Sequence, residues 1–126
     1  MTDRRRSLGT KAEDEVARRL ARAEGWWPLE RNARTRYGEL DIVALHGECL
    51  VFIEVKAGRA GADFGPVRPV HAVGPQKQRR IRRLATAWMA ARRDLPRYGA
   101  IRFDAVGVTF DREGRIVDYE HIEGAF

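Results

Sequence analysis

The chain has 126 residues, 44% hydrophobic and 9% aromatic, with Cys49 as its single cysteine. That length suits one globular domain over residues 1–126; the lone cysteine excludes an intrachain disulfide, and apolar runs such as Cys49 to Ile53 are too short to cross a bilayer. Twenty-four Lys and Arg against eighteen Asp and Glu leave a net charge of +6, which makes nucleic acid the first partner to weigh.

The basic opening MTDRRRSLGT leads into no apolar segment of the signal-peptide kind, so a cytoplasmic location is expected. Thr10 to Glu24 reads as a helix, with Thr10 and Glu13 spaced as a capping box and Gly25 as the stop. At about 100° per residue, Ala12, Val16, Ala17, Leu20 and Ala23 form one apolar arc. Glu13 falls inside that arc while Asp14 and Glu15 point away. Glu13 is therefore either the capping acid or an acid facing the sheet, and the two roles are compatible.

Trp26 to Arg34 reads as a first strand, with Pro28 restricting it to an edge or a strand end. Adjacent strand residues face opposite ways, so one of Trp26 and Trp27 belongs to the core and the other is partly exposed. Glu39 to Leu45 and Cys49 to Lys56 follow as the second and third strands, and they carry Asp41, Glu54 and Lys56 in their interiors. If Gly47 and Glu48 close a two-residue hairpin loop, His46 pairs with Cys49, Leu45 with Leu50 and Asp41 with Glu54. Opposed residues have Cβ atoms roughly 5 Å apart, and two carboxylates at that distance repel unless a cation lies between them. Oxygen ligands of this kind suit Mg²⁺ or Mn²⁺, and Lys56 on the same face is placed to hold a water or a phosphoryl oxygen. The competing reading is a cross-strand Lys56–Asp41 ion pair on a solvated face.

Ala57 to Gly74 is rich in Gly and Pro, lacks a period and reads as a long flexible loop. Pro75 to Arg93 is a basic amphipathic helix whose apolar face is Ile81, Leu84, Ala85, Trp88 and Ala91, with Lys77 on that face one turn before Ile81. Gln76 and Lys77 stand at its N-terminus, where free N–H groups favour phosphate. Arg79, Arg80, Arg82 and Arg83 follow in QKQRRIRR without an acid to interrupt them, a phosphate-binding face with a merely solvated face as the alternative. Ala100 to Phe110 is a strand, Asp111 to Gly114 a turn, and Arg115 to about His121 a last strand. The order α-β-β-β-α-β-β implies a mixed α/β (α+β) domain with helices packed on a central mixed sheet.

Glu13 in the first helix, Asp41 in the second strand and Glu54-Val55-Lys56 in the third resemble the PD-(D/E)xK nuclease superfamily, with its restriction-endonuclease-like fold. RYGELDIVA, LVFIEVKAG, Phe64-Gly65, PQKQRRIRR, RFDAVGV and the closing HIEGAF resemble more closely the YraN family of predicted endonucleases, related to Holliday-junction resolvases. Leu40 stands where the superfamily's name has proline. The resemblance implies Mg²⁺- or Mn²⁺-dependent phosphodiester hydrolysis in branched or structured DNA. Asp41, Glu54 and the Val55 carbonyl would hold the metal, Glu13 would complete its shell or position a water, and Lys56 would orient that water or stabilise developing charge. A homodimer, as in the junction resolvases, is compatible with it. The alternative is a non-catalytic nucleic-acid-binding module on the same fold. His71 and Asp104 are given no catalytic part, Asp104 being a candidate for a structural ion pair.

Overall fold

A computed structural model describes residues 7–61 and 73–126. The elements are α1 (Leu8–Arg22), β1 (Trp26–Thr35), β2 (Gly38–His46), β3 (Cys49–Arg59), α2 (Pro75–Ala90), β4 (Ala100–Phe110) and β5 (Ile116–Ile122). The strands form one five-stranded sheet in the order β1-β2-β3-β4-β5. All neighbours are antiparallel except β3 and β4, whose parallel pairing needs the long crossover that contains α2. This is the mixed α/β class and the element order expected from the sequence.

The two helices cover opposite faces of the sheet. Ala12, Val16 and Leu20 of α1 pack on Ile42, Ala44, Val51, Ile53, Val106 and Val108. Ile81, Leu84, Ala85 and Trp88 of α2 pack on Val43, Leu50, Phe52, Phe103 and Ala105. β3 is central and buried on both sides, which explains why Leu50 to Ile53 is a continuous apolar run rather than an alternating one. Trp26 stacks on His46 with ring centroids 4.1 Å apart, while Trp27 is exposed. Cys49 is half-buried against the α1 side of the core.

Several boundaries and one strand register differ from the expectation. Ser7, not Thr10, caps α1: its Oγ accepts the Thr10 N–H at 3.1 Å, so Glu13 lies beyond the first turn and the capping-box reading is overturned. Leu8 packs against the core, and burying it favours the extra turn. β3 runs to Arg59, because its ladder with β4 continues to the Arg59–Phe110 pair, so the expected loop begins at least three residues later than Ala57. Residues 62–72, with His71 and Phe64-Gly65, lie outside the described residues. α2 ends at Ala90 rather than Arg93, and β1 shifts register between Pro28 and Glu30, a tolerable irregularity on an edge strand.

Asp104 is fully buried and anchors the far end of the sheet. Arg102 donates to it from Nε at 2.8 Å and Nη2 at 2.9 Å, His121 Nε2 lies 2.9 Å away, and the Gly124 N–H donates at 3.0 Å. Burial alone would raise its pKa, but these bonds outweigh it and hold the carboxyl below the usual range. The structural ion pair expected for Asp104 is present.

Candidate active site

The β2–β3 ladder has the expected register, from His46–Cys49 to Ile42–Ile53, and stops one pair short of Asp41 and Glu54. The reason lies in β2 itself. Leu40 is buried with the α2-side core and Ile42 with the α1-side core, although residues two apart on a regular strand share a face. Alternation therefore breaks at Asp41. Its side chain turns into the seam between the strands, where Oδ2 accepts the Val55 N–H at 2.8 Å. Asp41 thus stands beside Glu54 by replacing a ladder bond rather than as a regular cross-strand pair.

Three carboxyls meet here. The Asp41 carboxyl interacts with those of both Glu54 and Glu13, the latter reaching in from α1. Burial, followed by the Glu54 charge, pushes the Asp41 pKa up to about 7. Burial also raises that of Glu13, with nearby Arg31 opposing it. Arg31 itself pairs with Asp14 at 2.5 Å.

The cation that answers this charge comes from the other helix. Lys77 Nζ lies 2.5 Å from Glu54 Oε2, so Lys77 faces the acids rather than a phosphate path along α2. Lys56 is exposed, and the ion pair of Glu54 is with Lys77 instead. The sequence signal for this contact was the position of Lys77 on the apolar face of α2, one turn before Ile81.

Among the described residues no group of three or more His, Cys, Asp or Glu side chains is arranged to enclose an ion unaided. The oxygens that do converge are the Asp41 and Glu54 carboxylates and the strand backbone. Because the N–H and C=O of one strand residue point to the same edge, Val55 directs its carbonyl to the Asp41 side as well. Two carboxylates and a carbonyl form a hard donor set, and Mg²⁺ commonly takes one or two carboxylates and fills its remaining positions with water or phosphate.

The basic helix divides into two surfaces. Gln76, Arg79, Arg80 and Arg83 line a shallow groove with Tyr37 and Leu84. Arg82 is not among them: its guanidinium stacks 4.5 Å from the Phe103 ring centroid and 5.8 Å from that of Phe126, on the β4 side. The expectation that Arg82 joins the other arginines is corrected: at about 100° per residue Arg79, Arg80 and Arg83 fall within one arc of about 100°, and Arg82 lies about 60° outside it on the side of β4.

Residues 12–108 match the family model described as "Uncharacterised protein family UPF0102". A UPF0102 protein of Parafrankia sp. (strain EAN1pec) is 50% identical over 119 residues, 94% of this chain and 95% of that one. One from Streptomyces griseus subsp. griseus is 48% identical over 95% of this chain and 96% of its own length. One from Pelotomaculum thermopropionicum is 40% identical over the whole of both chains.

Proposed function

The chain belongs to the uncharacterised protein family UPF0102, and on that premise we propose that it is a metal-dependent endonuclease of the PD-(D/E)xK type resembling the YraN family, which cleaves branched or structured DNA in the cytoplasm. The observation that carries the reading is Asp41, partly buried, bonded to the Val55 backbone and pressed against two further carboxyls. A sheet gains nothing in stability from such a cluster, whereas a phosphodiesterase needs one to hold a divalent cation.

Asp41, Glu54 and the Val55 carbonyl would hold Mg²⁺ or Mn²⁺, with Glu13 positioning a water from the α1 side. When bound, the metal supplies Lewis-acid polarisation of the scissile phosphate and a more acidic water. Lys56, exposed two residues beyond Glu54, reaches the phosphate from the solvent side and offsets the negative charge that develops there. Lys77 neutralises Glu54 in the metal-free protein, and would meet a phosphate oxygen if Glu54 held the metal instead.

The non-catalytic binding module has one observation in its favour, namely that the same Lys77–Glu54 pair satisfies Glu54 without a metal. Incubating the purified protein with linear duplex, flap, nicked and four-way DNA and with RNA, with Mg²⁺, Mn²⁺ or EDTA, separates the two. Cleavage of at least one substrate that stops in EDTA is expected. Binding without metal-dependent cleavage of any of them would assign the protein to the second class.

The salt dependence of binding tests the phosphate path. Each phosphate contact contributes about 0.9 to the slope of log affinity against log salt on duplex DNA, so replacing Arg79, Arg80 and Arg83 with alanine is expected to flatten it by up to roughly 2.7. Arg82→Ala is expected to leave the slope unchanged, because that guanidinium is committed to Phe103. A triple variant with the wild-type slope would show that this face of α2 is only solvated.

A further inference from the structure

The tight turn between β1 and β2 presses against α2, and a groove of about 760 Å³ opens beside it. Its walls are Arg36 and Tyr37 of the turn and Arg83 and Thr86 of α2, over a floor of small side chains that includes Ala87 and Ala90. Two smaller depressions continue it, one toward Arg79 and Arg80 and the other toward Arg34 and Arg92. Among the described residues no Asp or Glu lines any of the three. Arg34 pairs with Glu39 and Arg92 with Glu30, but Arg36 and Arg83 have no ion-pair partner among the described residues.

The turn is held rigid. Thr35 Oγ1 accepts the Tyr37 N–H at 3.1 Å and donates to the Gly38 carbonyl at 2.8 Å. Gly38, which faces Arg80 and Leu84 of α2, adopts φ 144°, a backbone conformation that favours glycine. With the backbone fixed, the Tyr37 ring stands 52% exposed at the mouth of the groove. The Arg36 guanidinium lies 5.2 Å from its centroid. A large, preorganised aromatic ring beside unpaired cations and a small-residue floor matches a nucleotide whose base face is open. Paired bases inside a duplex present no open face, whereas unpaired bases stack on aromatic side chains.

We propose that Tyr37 is a stacking platform for an unpaired base of the nucleic-acid substrate, with Arg36 and Arg83 holding its neighbouring phosphates. The inference rests on the nucleic-acid reading above and narrows it to substrates with an unpaired nucleotide near the cleavage point. Lys77 fixes the start of α2 at Glu54; Arg83 and Ala90 lie about 9 and 20 Å further along the helix axis. The unpaired nucleotide therefore sits roughly three to six base-pair steps from the cleaved phosphate, at 3.4 Å per step.

The test compares a duplex carrying one bulged 2-aminopurine with the same duplex fully paired, in EDTA so that nothing is cut. Wild-type protein is expected to bind the bulged duplex roughly 5- to 150-fold more tightly and to quench its fluorescence. Tyr37→Ala should remove both effects while leaving affinity for the paired duplex unchanged, and Tyr37→Phe should retain both. Equal wild-type affinity for the two duplexes, with steep salt dependence, would overturn the stacking platform and leave the nucleic-acid reading standing. A bulge preference undiminished in Tyr37→Ala would also overturn it. Binding to neither duplex would remove both.

Discussion

Asp41→Asn is expected to abolish metal-dependent cleavage, by at least about 10²- to 10³-fold, the loss typical of removing one preorganised electrostatic group, and also to raise the melting temperature of the metal-free protein at pH 8. The second effect separates a functional cluster from a structural one. The Asp41 pKa is raised from 3.8 to about 7, first by burial and then by Glu54. Its protonated form supports the fold fully below about 3.8, and that support is lost as the pH rises through 7. At pH 8 the metal-free site holds an uncompensated charge, which asparagine removes while its side-chain oxygen can still accept the Val55 N–H. Millimolar Mg²⁺ should stabilise the wild type more at pH 8 than at pH 5.5 and should not stabilise Asp41→Asn. Glu54→Gln should lose cleavage too, but without the gain in stability, since it deprives Lys77 of its partner. Both predictions are read by thermal melts and a cleavage assay, and a destabilised Asp41→Asn would mark the acid as structural.

Asp104→Ala is expected to have the largest effect on stability, about 3–5 kcal/mol, because it leaves Arg102 and His121 without the carboxylate they converge on. For a domain of this size the melting temperature should fall by about 10–20 °C. The pH dependence has the opposite sign to that of Asp41. The folded pKa of Asp104 is depressed, so its contribution is present above 3.8 and disappears as the pH falls through the lower folded value. Urea melts of both proteins between pH 3 and 8 would check it. A loss below about 1 kcal/mol, the range of exposed ion pairs, would mean that the network is not an anchor.

The sequence carried the hairpin register because side-chain alternation and a two-residue loop leave few choices, and the pairs from His46–Cys49 to Ile42–Ile53 follow it. It brought Asp41 and Glu54 together for the same reason, but it could not show the break in alternation between Leu40 and Ile42, which depends on how two different helices bury neighbouring residues. Glu13 was legible as an acid in an apolar arc. The Ser7 cap was not, since Ser7 and Thr10 are equally plausible caps until the burial of Leu8 decides between them. The assignment of Lys77 to Glu54 and of Arg82 to Phe103 concerns long flexible side chains, whose partners are set by the opposite layer and not by helix periodicity.

The parallel pairing of β3 with β4 bears on how the chain is made. Glu13, Asp41, Glu54 and Lys56 all lie between Leu8 and Arg59, whereas the strand that closes the β3 edge ends at Phe110, 51 residues after Arg59. At about 5–20 residues per second, the ribosome exposes that edge for roughly 3–10 s before its partner is complete. A long apolar strand with an open edge is a template for intermolecular pairing. The nascent chain is thus most vulnerable to misassembly with Glu13, Asp41, Glu54 and Lys56 already synthesised and the strand that closes the β3 edge still missing, and a chaperone that shields Cys49 to Arg59 would act in that interval.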